Sequence, residues 1–69
     1  MSLTETFGRN VRRIRLEKKL TIEGLATDVG LSYSYMGQLQ RGERNPTLDV
    51  VERIAKALGV KAIELFRER

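Results

Sequence analysis

Helix starts and helix stops alternate along this chain, and no other feature limits its fold as strongly. Thr21, Ser32 and Thr47 are good N-cap residues, and Gly30, Gly42 and Gly59 follow them in turn. A cap oxygen accepts a bond from an amide that the first helical turn leaves unpaired, and a glycine takes the left-handed backbone that ends a helix. Each interval from cap to glycine predicts one short helix, with apolar residues at helical spacing. These are Leu25, Ala26 and Val29 in the first interval and Met36 and Leu39 in the second. The third has Leu48, Val51, Ile54, Ala55 and Leu58. Ahead of them a helix is expected from about Leu3 to Lys18. It opens on Ser2 and Glu5, spaced for a capping box, and sets Leu3, Phe7, Val11 and Ile14 along one stripe. Arg9, Arg12 and Arg13 fall on another face. Asn45-Pro46 forces extended backbone in the loop before Thr47. A last short helix holds Ile63, Leu65 and Phe66 behind Lys61, a poor cap. The expectation is an all-α, five-helix fold forming one domain over residues 1–69.

At 69 residues the chain buries only a modest core. It contains no cysteine and no histidine, so disulfides, thiolate metal sites and the commonest general base are excluded. The carboxylates are spread over separate helix faces, and no acid–base pair or nucleophile can be assembled from them. The chain is therefore expected not to be an enzyme and to need no cofactor or metal. No apolar run reaches the length of a membrane span, and no signal-peptide pattern opens the chain, so a cytoplasmic protein is expected.

Net charge is +4, unevenly placed. Arg9, Arg12, Arg13, Arg15, Lys18 and Lys19 stand together against Glu17 alone, while the rest of the chain nearly cancels. Such a balance suits a polyanion, nucleic acid before an anionic membrane surface, though a solvated helix face has the same look. A membrane surface fits poorly, because the apolar stripe of helix one is needed for the core and the chain has no tryptophan.

The segment from Thr21 to Gln40 gives the charge a purpose. Ala26 is small enough for two helices to cross closely, Gly30 makes the turn between them, and Met36 and Leu39 anchor the second helix in the core. That spacing is a helix-turn-helix, with a recognition helix at about residues 33–41 whose opposite face is free for a major groove. An ordinary helical hairpin shares these requirements.

The whole stretch from Phe7 to Phe66 resembles the lambda-repressor-like, or Xre-type, helix-turn-helix family. The likeness runs through FGRNVRRIRLEKKLTIEGLATDVGLSYSYMGQLQRGERNPTLDVVERIAKALGVKAIELF almost residue by residue. It implies a transcription regulator that binds double-stranded DNA as a homodimer on two related half-sites, with no small-molecule effector. The SYSYMGQLQRGERNPTL segment also resembles the controller proteins of restriction–modification systems. By the same resemblance Tyr33, Ser34 and Gln38 face base edges. Gln38 is the best reader by chemistry, since an amide pairs with adenine N6 and N7. Thr21, Glu23, Tyr35, Arg41, Arg44, Asn45 and Arg12 are candidates for the DNA backbone. Tyr35 is as well explained as a partly packed aromatic, and Arg12 as part of a solvated face.

Three residues depart from the family pattern. Ile22 stands where a glutamine usually clamps a phosphate, leaving only the amides of Ile22 and Glu23 for that role. Gln40 stands where a glutamate usually pairs with the arginine matching Arg15. Arg15 is then solvated, paired with another acid or turned toward DNA, with a hydrogen bond to Gln40 still available. Lys61 replaces the usual cap. Val60, Leu65 and Phe66 are candidates for the dimer interface, with core packing an equal explanation for Phe66. The alternative function is a protein-interaction module, such as an antitoxin or helical adaptor.

Overall fold

The computed structural model describes residues 2–68, and among these no strand forms. Four α-helices, α1 (Leu3–Glu17), α2 (Ile22–Val29), α3 (Tyr33–Gln40) and α4 (Leu48–Leu58), are followed by a 3₁₀ turn, Ala62–Phe66. α1 packs against α3 and the 3₁₀ turn, and α2 packs against α3 and α4.

The expected caps all form. Ser2 Oγ accepts from the Glu5 amide and the Glu5 carboxylate accepts from the Ser2 amide, which closes the capping box on α1. Thr21, Ser32 and Thr47 each accept from the amide three residues on, at 2.9–3.1 Å. Gly30 and Gly59 end α2 and α4 in the left-handed conformation.

α1 ends at Glu17 with Lys18 as its cap, within a residue of the expected end, and the left-handed residue that follows the cap is Lys19, with φ 59°. No glycine marks that position, so the turn is invisible to a rule that looks for one. Three expectations need correction. Leu3 and Leu48, assigned to apolar stripes, are 64% and 82% exposed. Each begins its helix before the helix reaches the core, and Val50 is buried on α4 where the stripe omitted it. The fifth helix is only a 3₁₀ turn, and Lys61 makes no side-chain cap bond, as its chemistry implies. Finally, Arg15 is neither solvated nor ion-paired nor turned outward. It is 8% exposed, and its Nε donates to Gln40 Oε1 at 3.1 Å. Its Nη1 donates to the Leu20 carbonyl at 2.8 Å.

The core is Phe7, Val11 and Ile14 from α1, Leu25, Ala26 and Val29 from α2, Met36 and Leu39 from α3, Val50, Val51, Ile54, Ala55 and Leu58 from α4, and Leu65. Two features of α1 fix how the helices meet. A Cβ at Gly8 would collide with the Leu39 carbonyl oxygen and lie 2.7 Å from that of Gln40. The glycine thus lets the backbones of α1 and α3 touch. On another face, buried Asn10 donates to the carbonyls of Leu65 and Arg67 at 3.0 and 2.8 Å, tying down the C-terminal segment. Phe7 and Phe66 stack beside it with ring centroids 5.5 Å apart.

The Arg15–Gln40 bond joins α1 to the end of α3 with no carboxylate present. Gln40→Leu removes the acceptor and leaves a charged donor buried without one. A loss of about 2–3 kcal/mol is expected, read as a lower urea midpoint at unchanged slope. At the other end of α1, the bond from the Ser2 backbone amide, with the Ser2 hydroxyl second, holds the Glu5 carboxyl below its ordinary pKa. A depressed folded value means that this stabilisation is complete above the unfolded pKa and is lost as pH falls through the lowered one. In an NMR titration Glu5 should lose its proton below the ordinary glutamate pKa, and Ser2→Ala should move its midpoint upward.

Candidate nucleic-acid interface

The turn between α2 and α3 follows from Gly30. Its left-handed backbone lets the Leu31 amide bond the Ala26 carbonyl at 2.9 Å, which closes α2 and turns the chain into Ser32. Ala26 is buried at the crossing of the two helices. Met36 and Leu39 are fully buried, so α3 has one fixed orientation and presents its other face to solvent.

Tyr33 and Ser34 are exposed on that face and Gln38 is half-buried beside them. Residues 34 and 38 are one helical turn apart and share a ridge. The structure therefore brings together the three side chains expected to read bases. Between Tyr33 and Gln40 the helix carries no charged residue.

Charge lies in the loop beyond. The Gly42 and Glu43 amides bond the carbonyls of Leu39 and Gln38, and Gly42 has φ 75°. A Cβ at Gly42 would sit 2.8 Å from Glu5 Cγ, so the loop is pressed against the start of α1. Arg41 Nε and Nη2 donate to the two oxygens of Glu43 at 3.0 and 3.3 Å. This paired bond, with the charge of Glu43 second, raises the Arg41 pKa further above its ordinary value. Arg44 places its guanidinium 5.0 Å from the centre of the Tyr35 ring, a cation–π contact. Tyr35 and Arg44 thus form a cationic edge beside α3, Arg41 stands at the end of the helix, and Asn45 is exposed next in the chain after Arg44.

At the other border Thr21 Oγ1 is occupied by the Gly24 amide, and Glu23 is exposed at the start of α2. Arg12 lines an open cleft of about 560 Å³ with Thr6, Arg9, Asn10, Arg13, Arg67 and Glu68. Leu65 lies wholly inside the core, and Val60 and Phe66 are half-buried. Sequence reasoning missed Glu43, whose only signal was an acid two residues after Arg41 in a turn.

Among the described residues no group of His, Cys, Asp or Glu could hold a metal ion, and no helix is long and apolar enough to cross a membrane.

Comparison with known proteins agrees with this geometry. The family model described as "Helix-turn-helix" (HTH_3) matches residues 11–65. The control protein C.BamHI of Bacillus amyloliquefaciens is 45% identical over 61 residues, covering 87% of this chain and 75% of its own. The HTH-type transcriptional regulator y4dJ of Sinorhizobium fredii is 42% identical over 65 residues, covering 94% and 84%. The crystal structure of the restriction–modification controller protein C.AhdI from Aeromonas hydrophila superposes with a TM-score of 0.88 at 40% identity, covering 91% of this chain and 96% of that one. The chain belongs to the Xre-like helix-turn-helix family of DNA-binding transcription regulators.

Proposed function

We propose that residues 1–69 act as one DNA-binding domain that places α3 in the major groove of a two-half-site operator. The observation that carries this reading is the uncharged face of Tyr33, Ser34 and Gln38 bordered by the Arg44–Tyr35 pair and Arg41. Gln38 and Ser34 supply hydrogen bonds to base edges, and Tyr33 supplies ring and hydroxyl. Arg41, Arg44 and Asn45 grip phosphates on one side. On the other, the first amides of α2 approach a phosphate, where Thr21 fixes the helix start and Ile22 offers no side-chain clamp. Glu23 takes part through its amide alone, since its carboxylate repels the strand. Arg12 can reach the backbone only on DNA that continues past this face. The likeness to C.BamHI and C.AhdI favours control of a restriction–modification system. The site of action is the cytoplasm, where such a target lies.

The same reading includes a homodimer. Leu48 and Ile63, 82% and 62% exposed, flank half-buried Phe66. Residues three apart in a 3₁₀ turn lie on one side, so Ile63 and Phe66 face the same way. A shallow cavity of about 180 Å³ joins Leu3, Pro46, Leu48 and Phe66. A second copy covering this apolar end places two α3 helices for half-sites roughly 34 Å apart. Leu65 supports the surface from within, and Val60 lies at its margin.

Selection from a random duplex pool tests the DNA reading. A two-half-site sequence with affinity falling steeply in salt is expected. Gln38→Ala should cost about 1–3 kcal/mol and relax choice at one base pair, and Arg44→Ala should weaken all sequences and lower the salt slope by about 1. Enrichment of no sequence favours a protein-interaction module instead. For the dimer, Leu48→Glu with Ile63→Glu should sediment as a helical monomer where the parent sediments as a dimer. A parent that is monomeric when bound to the full operator overturns that arrangement.

A further inference from the structure

Three glycines lie inside helices, where alanine is the more stable residue. Two are explained within the protein. A Cβ at Gly8 would strike the backbone of α3, and one at Gly24 would crowd the Thr21 cap oxygen at 3.0 Å. Gly37 is different. A Cβ there would meet only Arg41 Nη1, at 3.3 Å. That atom ends a flexible, mostly exposed side chain that can move aside. Nothing in the fold requires position 37 to be bare.

Its place on α3 suggests what does. Tyr33 and Arg41 stand one turn either side of Gly37, Ser34 stands three residues before it, and Gln38 follows it. Gly37 is therefore a notch in the middle of the proposed base-reading face, covered in the free protein by the Arg41 guanidinium that Glu43 holds. A position without a side chain offers no hydrogen-bonding group of its own and reads by close apolar contact. The apolar group that protrudes into the major groove is the thymine 5-methyl. Resting on the DNA reading above, we infer that Gly37 is a specificity-determining residue that seats one thymine methyl of each half-site against the backbone of α3. Arg41 leaves Glu43 for a phosphate as the methyl enters.

Replacing each thymine of the selected half-site by uracil deletes only the methyl. At one position the parent should lose about fourfold in affinity, the value of one buried methyl group. Gly37→Leu fills the notch. It should melt at or above the parent temperature, bind the thymine site about tenfold more weakly, and no longer distinguish thymine from uracil there. Gly8→Ala serves as the contrast, with a lower melting temperature. Even tolerance of uracil at every position overturns the inference, as does a folded Gly37→Leu that binds as tightly as the parent. Both outcomes leave sequence-specific binding by the parent intact, and a parent that selects no sequence removes the DNA reading itself.

Discussion

The crossing of α1 over the end of α3 governs how this small fold presents its functional helix. α3 has eight residues and contains an internal glycine, too little to be stable as an isolated helix. Its position is imposed from outside. Gly8 lets the α1 backbone rest on the carbonyls of Leu39 and Gln40, and Arg15 reaches across to the Gln40 amide oxygen. Below, Met36 and Leu39 are held in the core by α1, α2 and α4. A slip of one residue at this crossing would turn the face of Tyr33, Ser34 and Gln38 away from solvent.

The Arg15–Gln40 bond also shows how a buried charge is carried without a counter-charge. Burial of a guanidinium is costly unless its donors are satisfied. Here Nε takes a side-chain amide and Nη1 takes the Leu20 carbonyl, just past the left-handed turn at Lys19. One arginine thereby ties the end of α3 to the exit of α1, and the strain of a non-glycine residue at positive φ is held in place by that bond.

What could be read from sequence was whatever depends on local chemistry. Caps and left-handed glycines act within a few residues, so α2, α3 and α4 were legible to within a residue or so. Periodicity also placed Met36 and Leu39 in the core, while Tyr33, Ser34 and Gln38 were picked out by the family resemblance. The failures are tertiary. Leu3 and Leu48 have helical spacing but begin their helices beyond the edge of the core. Gly8 resembles any helix-weakening glycine until α3 lies against it. Lys19 takes a left-handed conformation that glycine usually signals, so the turn after α1 carried no mark.

The site divides reading from grip. Between Tyr33 and Gln40 no residue is charged, while Arg41 and Arg44 lie just past the helix. Charge attracts any phosphate at long range and distinguishes no sequence, whereas neutral groups act only in contact with a base edge. On the proposed reading, this division would let the protein meet DNA anywhere through its charges and test sequence only as α3 enters the groove. The Arg41–Glu43 pair bears on the same step. Exposed on both partners, it is weak enough for a phosphate to replace. On that reading, the intact pair keeps the Arg41 charge occupied, and its guanidinium over Gly37, until the groove is reached.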